Sequence, residues 1–451
     1  MKVIALVDGE HYPAVTRWGL SSAAASGYDV LAALAVGGVE KLDRARALDL
    51  GGVPVLRGEV DPMGALAVAI DDLRPDAVLD LSDEPVLSYE RRMELAAVAL
   101  ARGCAYVGPG FRFDPPVRDA PLPVPTVAVI GTGKRVAKTS VSAHLARLAA
   151  TQGHRPAIVA MGRGGPTGPA LAGPGDVTLS ELLARVERGE HAASDYLEDA
   201  LMSGVPTVGA RRCGGGLAGR PFVTNVAAAA ARAADGAGLV ILEGSGAAMP
   251  TVPWDAGVLV VPATLPPEHL GGYFGPLRLL LSDLVVFILE DGPRAGPDNL
   301  SALASHVRRL RADTRVALAE LQPVPLADVR GKDAFFATTA REDVAVRLAE
   351  RLTMTAGCHI VKVSARLADR AGLEEDLASS PPFDVLLTEL KAAAVDVAAR
   401  RALERGAEVV FVDNRPHAVV NHPAGDGDVD DLLREVATLA VDRAHERMGT
   451  A

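Results

Sequence analysis

Ten consecutive residues carry the clearest chemistry in the chain: Gly131, Thr132, Gly133, Lys134, Arg135, Val136, Ala137, Lys138, Thr139 and Ser140. The apolar run Thr126–Ile130 enters this segment, and the amphipathic stretch Ser140–Thr151 leaves it. A strand, a glycine-bearing loop and a helix opening on Lys-Thr form the arrangement that holds a nucleotide's phosphates. Glycines let successive backbone N–H groups converge on the β- and γ-phosphates, and the positive end of the helix adds to them. Lys138 supplies a point charge and the Thr139 hydroxyl is a ligand for Mg2+. All ten residues are read as the ATP-binding set, with Lys134 a further phosphate contact. The position before the lysine, usually Gly, is Ala137, which needs a backbone conformation that tolerates a Cβ, or a slightly displaced nucleotide. The competing reading is a turn with an incidental Lys-Thr.

An ATP site also needs a carboxylate at the end of a neighbouring strand to order Mg2+ or its waters. Glu243 ends the apolar run Leu239–Leu242 and precedes Gly244-Ser245-Gly246, so it is the first candidate; the alternative is a carboxylate capping a turn. Asp176, in Gly175-Asp176-Val177-Thr178, is the second, and equally suits the N-cap of the helix containing Leu182 and Leu183. On the substrate side, two basic glycine-rich segments stand out in an acidic protein: Gly162-Arg163-Gly164-Gly165, and Arg211-Arg212-Cys213-Gly214-Gly215-Gly216. Arginine forks and close backbone approach suit phosphate or carboxylate groups, and flexible turns with solvated arginines are the plainer reading. Arg163, Arg211, Arg212, Gly214, Gly215 and Gly216 are therefore substrate-binding candidates. Asp8 and His11, after the first predicted strand, join them, or else only satisfy a turn and a helix cap. Lys391 and Arg415 read as solvated surface. No activating His/Asp set lies near Cys213, so it is not taken as a nucleophile.

Alternating strand and helix patterns position these residues and predict an α/β fold. Residues 1–113 read as a Rossmann-like parallel sheet domain. Residues 114–125 contain five prolines, which sustain neither helix nor central strand, and form a linker. A P-loop NTPase domain, a three-layer α/β/α unit, follows over 126–345, and 346–451 is a C-terminal α/β extension, either separate or completing the same sheet. The 451 residues carry a formal charge of −11, which argues against broad nucleic-acid or anionic-membrane binding. Three scattered cysteines form no C-x-x-C pair, and no apolar run approaches the ~20 residues of a membrane span. A cytoplasmic enzyme is expected.

The loop spacing resembles dethiobiotin synthetase-type loops, in which Gly stands where this chain has Ala137. The strings Asp8–Pro13, Gly131–Ser140, Gly162–Pro166, Arg211–Gly216 and Glu243–Gly246 together resemble the cyclic 2,3-diphosphoglycerate synthetase family, and the likeness runs from Val3 through Asp413–Pro416. That resemblance implies an ATP- and Mg2+-dependent ligase closing an intramolecular phosphoanhydride in 2,3-diphosphoglycerate, with release of ADP and phosphate. Lys138, Arg211 and Arg212 then take catalytic roles, and Thr139, Glu243 and Asp176 the metal. A homodimer stays open. The rival enzyme readings are a 2-phosphoglycerate kinase or another small-anion ATP-dependent ligase. The rival from another class is a partner-binding nucleotide-switch ATPase.

Overall fold

The structure, a computed structural model, describes residues 1–10, 12–38, 49–173, 175–272, 274–289 and 296–449. His11 lies outside the described residues. The N-terminal unit comprises β1 (Lys2–Val7), α1 (Pro13–Ala25), β2 (Asp29–Ala35), β3 (Val55–Arg57), α2 (Pro62–Leu73), β4 (Ala77–Asp80), α3 (Tyr89–Ala101), β5 (Ala105–Gly108) and β6 (Phe111–Phe113). Its strands run in the order β3-β2-β1-β4-β5-β6, parallel except for the β5–β6 pair. The chain reverses direction across this sheet between β1 and β4, the usual place for a crevice in open α/β sheets. Val3, Ile4, Ala5 and Leu6 are all buried, because helices cover both faces.

The P-loop unit follows: β7 (Thr126–Gly131), α4 (Lys138–Thr151), β8 (Pro156–Gly162), β9 (Ala170–Ala172), α5 (Leu179–Glu187), α6 (Asp195–Ser203), β10 (Thr207–Cys213), β11 (Val223–Thr224), α7 (Val226–Ala234) and β12 (Leu239–Glu243). It continues through β13 (Ala256–Pro262), α8 (Pro267–Gly271), α9 (Gly275–Leu280), β14 (Leu284–Ile288), α10 (Pro297–Leu310) and β15 (Arg315–Pro325). Then come β16 (Asp333–Ala337), α11 (Glu342–Ala356), β17 (His359–Ser364), α12 (Arg370–Ala378), β18 (Val385–Thr388), a π-helical turn at Ala394–Ala399, α13 (Arg400–Glu404), β19 (Glu408–Ala418) and α14 (Val429–Gly449).

All of these strands join one sheet in the order β11-β10-β8-β12-β7-β13-β14-β15-β19-β18-β16-β17, with β9 paired to β10. Alternation along β7 shows how it is packed: Val127 and Val129 face a core with α4 and α14, while Ala128 and Ile130 face one with α7 and α10. That is the three-layer arrangement expected. The C-terminal region both completes this sheet and forms its own lobe. β15 pairs parallel to β14 over Arg315–Ala319, then antiparallel to β19 from Ala319↔Ala418 to Pro325↔Val412. The changeover therefore falls within β15, and residue 345 lies inside α11. Past β19, α14 returns to the P-loop unit, where Leu432, Leu433, Val436 and Ala440 are buried against β7 and β13.

The proline-rich linker is strapped down. Asp119 N donates to Thr251 O at 2.9 Å, Arg118 stacks 4.8 Å from the Trp254 ring centre, and Leu122 is buried. The N-terminal unit docks through α3 on α9. At that seam the fully buried Glu94 accepts from Arg91 on its own helix at 3.0 Å and pairs with Arg309 of α10. Both arginines are half-exposed and can rehydrate, so removal of the carboxylate costs less than breaking a fully buried pair. Glu94→Ala is expected to destabilise the protein by about 2 kcal/mol, read as a lowered denaturation midpoint. An unchanged midpoint would show that the Glu94 ion pairs contribute nothing to stability.

Candidate active site

β7 delivers the chain into the loop and α4 receives it, as the residue pattern predicts. Gly131 is required there: a Cβ on it would lie 2.7 Å from Val136 Cγ2 and 3.0 Å from Lys138 Cδ. Lys138 is buried, and its ammonium donates to Gly133 O at 2.7 Å, so the loop curls around the charge. Burial pushes the Lys138 pKa down; Glu243 and Asp195 push it back up, while Arg212 and Arg278 push it further down. Three cations therefore share the head of α4. Ala137 does not sit in a conformation that suits a Cβ: it occupies the left-handed region at φ 67°, as does Arg135 at φ 59°.

Glu243 stands where the sequence placed it, at the end of β12 beside β7. It is buried, and Thr139 Oγ1 donates to its Oε1 at 2.8 Å. Behind it lies Asp199 of α6, fully buried and hydrogen-bonded through Oδ1 to the Ser142 hydroxyl at 3.3 Å. Among the described residues, no donor with hydrogen-bond geometry reaches Oε2 of Glu243 or Oδ2 of Asp199. Burial raises both carboxyl pKa values; Glu243 pushes that of Asp199 further up, and Asp195 that of Glu243. The site thus offers hard oxygen donors from Thr139 and Glu243. Asp176 is elsewhere: exposed, its Oδ2 accepts from Gly173 N at 2.7 Å and closes a turn. Nor does it cap α5, whose N-cap is Thr178, accepting from Glu181 N. Neither role expected for Asp176 is supported by its position.

The two basic segments meet each other. Arg211 and Arg212 sit on β10, a strand the residue pattern did not disclose, and alternation sends them to opposite sides. Arg212 is buried; its Nη1 donates to Gly214 O at 2.6 Å and its Nη2 to Ser245 O at 2.8 Å, in the loop after Glu243. Arg163 is close enough to depress the Arg212 pKa, behind burial as the first cause. Arg211 is exposed and braces the neighbouring loop, donating from Nε to Gly165 O at 2.5 Å. The expected convergence of both arginines on one anion therefore reduces to Arg212 with Arg163. Of the glycine triplet, Gly214 is left-handed at φ 64° and a Cβ there would meet Phe222 Cβ at 2.8 Å. A Cβ on Gly215 would come within 3.4 Å of Arg212 Nη1, and Gly216 N closes a turn onto Arg220 O. Asp8 is buried and accepts from Glu10 N at 3.2 Å and Asp83 N at 3.0 Å, which is the turn reading rather than the ligand one.

Sequence reasoning missed several groups. Asp195, Glu198 and Asp199 occupy one face of α6 at i, i+3 and i+4, a carboxylate stripe on an otherwise apolar helix that was a usable signal. Arg278 on α9 is buried and donates to Ala247 O at 2.5 Å and Phe274 O at 3.0 Å; burial lowers its pKa to about 10. Lys391 and Arg415 are not merely solvated. Lys391 pairs with Glu198 at 3.0 Å, and Arg415 with the buried Asp413 at 2.8 Å. Burial raises the Glu198 pKa to about 7.

Three family models match the chain, all of cyclic 2,3-diphosphoglycerate synthetase: its N-terminal domain over residues 2–114, its P-loop domain over 126–319 and its C-terminal domain over 325–415. A cyclic 2,3-diphosphoglycerate synthetase of Rubrobacter xylanophilus is 46% identical, covering 93% of this chain and 95% of its own length. Synthetases of the same name from Methanothermobacter thermautotrophicus and Methanothermus fervidus are 40% and 39% identical, covering 97% and 98% of this chain and 96% and 98% of their own lengths.

The left-handed alanine in the phosphate loop has a measurable consequence. Ala137→Gly removes the Cβ from a conformation that disfavours it, and is expected to raise stability by about 1 kcal/mol in denaturant unfolding. A destabilised A137G would mean that the loop does not carry this strain.

Proposed function

Because the chain belongs to the cyclic 2,3-diphosphoglycerate synthetase family, we propose that it uses ATP to join the two phosphates of 2,3-diphosphoglycerate into a cyclic anhydride, releasing ADP and phosphate. It is an ATP-dependent, ligase-type enzyme built on a P-loop. The observation that carries the residue-level reading is the constellation at the head of α4. There the Lys138 ammonium, the Thr139–Glu243 hydrogen bond and the buried Arg212 and Arg278 lie within electrostatic reach of one another.

In this reading one substrate phosphate oxygen attacks the γ-phosphorus of ATP, and the bond to the β-phosphate oxygen breaks, leaving ADP. The second substrate phosphate then attacks the phosphorus just activated, and inorganic phosphate departs as the ring closes. No protein nucleophile is needed. Catalysis rests on positioning and charge neutralisation. Backbone N–H groups of 131–139 and the Lys138 ammonium hold the triphosphate. Arg212, with Arg163 beside it, holds the substrate's phosphates against mutual repulsion. Arg211 acts through Gly165 as a positioning residue.

Thr139 and Glu243 suit Mg2+, which keeps few protein ligands and takes the rest from phosphates and water. Among the described residues no group of three or more His, Cys, Asp or Glu side chains is placed to hold a metal without such help. Bound there, Mg2+ would neutralise charge on the β- and γ-phosphate oxygens. We place the enzyme in the cytoplasm: Cys104, Cys213 and Cys358 are all free, as a reducing compartment keeps them. No helix among the described residues is long and apolar enough to cross a membrane.

Phosphorus NMR of enzyme, MgATP and 2,3-diphosphoglycerate is expected to show a new anhydride resonance that grows with ADP and inorganic phosphate. Hydrolysis of ATP without that resonance would refute the cyclase assignment, and product from 2-phosphoglycerate would favour a kinase. Lys138→Ala should lower turnover by about 10³-fold or more while the protein still folds, judged by its unfolding midpoint. Ordinary turnover in that variant would remove Lys138 from the chemistry.

A further inference from the structure

The N-terminal unit reaches the phosphate site through the turn that joins α8 to α9. α9 carries Arg278, and two side chains of the N-terminal unit flank the start of that helix. Phe113 of β6 packs edge-on against Phe274, with ring centres 4.9 Å apart. The Tyr89 hydroxyl of α3 crowds Gly272, where a Cβ would lie 2.6 Å from it. We propose that Phe113 is a positioning residue for the reaction: it fixes Phe274 and, through it, the Arg278 guanidinium beside Lys138. The proposal rests on the ATP-dependent reading above.

Phe274 is held in a conformation that its side chain disfavours. It is fully buried and left-handed at φ 57°, an outlier for a bulky residue. Strain of this kind lasts only where the surroundings over-determine it, and such residues gather at functional sites. Gly275 must follow it, because a Cβ there would lie 2.0 Å from Leu270 O, and the Phe113 ring packs on Phe274 itself. This conformation gives the Phe274 carbonyl a task. It accepts from Arg278 N at 3.3 Å and from Arg278 Nη1 at 3.0 Å. Nη2 of the same guanidinium donates to Ala247 O at 2.5 Å, in the loop that follows Glu243. Were Phe274 to relax, Arg278 would shift and that loop would lose its tie.

Phe113 is itself anchored. Tyr106, Phe111 and Phe113 form a row along β5 and β6, with successive ring centres 5.9 and 5.5 Å apart. Tyr106 faces Phe113 across the two strands, and its hydroxyl donates to the buried Asp80 at 2.7 Å. The row therefore ties the sheet of the N-terminal unit to the start of α9. Phe113 is only half-buried, so trimming it spares the core behind it.

The test is a double-mutant cycle on the full-length chain. Phe113→Ala, Arg278→Lys and the pair are assayed for ADP release from MgATP with 2,3-diphosphoglycerate. Phe113→Ala is expected to lower kcat by about tenfold, because a misplaced cation stabilises the transition state less. Its KM for MgATP should stay within about twofold of wild type, since Lys138 and the 131–139 backbone are untouched. Arg278→Lys should lower kcat by about 10²-fold. In that background Phe113→Ala should cost less than about twofold more, because the group it positions is already gone. An equal cost in both backgrounds would overturn the proposal, as would a wild-type kcat in Phe113→Ala. Should the alanine variant not fold, judged by its unfolding midpoint, Phe113→Leu takes its place in the cycle under the same criterion. A wild type that releases no ADP with this substrate would instead sink the ATP-dependent reading itself.

Discussion

A buried ammonium beside two buried guanidinium groups is unstable unless anions face it, and that constraint organises the molecule around Lys138. Its own loop provides one carbonyl oxygen. The remaining compensation comes from carboxylates that other elements must deliver: Glu243 from β12 and Asp195 from α6. Burial works against these charges, since it raises the pKa of both Glu243 and its neighbour Asp199. A polyphosphate held there, as proposed above, would add the negative charge that three clustered cations call for.

Delivering those groups to one point dictates the architecture. β12 lies between β7 and β8, so Glu243 emerges beside the phosphate loop, and α6 packs on α4 to bring its carboxylate stripe alongside. β15 runs beyond the P-loop layer and pairs with β19, which swings Asp413 and Asn414 back over α4. α14 then closes the underside, with His144 of α4 bonded to Asp430 at 2.7 Å. Residues of the N-terminal and P-loop segments share one hydrophobic cluster, and Leu390, Val395 and Phe411 of the C-terminal segment join another with Ala143 of α4.

What was legible in the sequence follows from what local signals encode. The phosphate loop was readable because strand, glycines, Lys-Thr and helix all lie within one short stretch. The parallel strands were readable from their β-branched runs, and the proline-rich boundary from backbone chemistry. β10 was not, because Gly209 and the pair Arg211-Arg212 interrupt its apolar character, and its burial is fixed by β8 and β9. Asp176 misled because a lone loop aspartate suits a turn, a cap or a metal equally well until its neighbours are known. Lys391 and Arg415 looked solvated because their partners, Glu198 and Asp413, are far away in the chain. Arg278 carried no local motif. Only the fold brings α9 to the loop after Glu243.

That loop explains why the site is built from arginines where a lysine would carry the same charge. Residues 244–248 make a tight turn directly after the Glu243 carboxylate, closed by the Ser245–Ala248 bridge. Arg212 holds its Ser245 carbonyl from one side and Arg278 its Ala247 carbonyl from the other. A guanidinium presents several donors in a fixed plane, so one edge can pin a carbonyl while the charge still bears on the head of α4; an ammonium on a flexible stem fixes no such plane. The arginines therefore act twice. They set the position of the loop that follows Glu243, and they supply the positive field that Lys138 senses. Changing either to lysine would keep the charge count and lose the geometry.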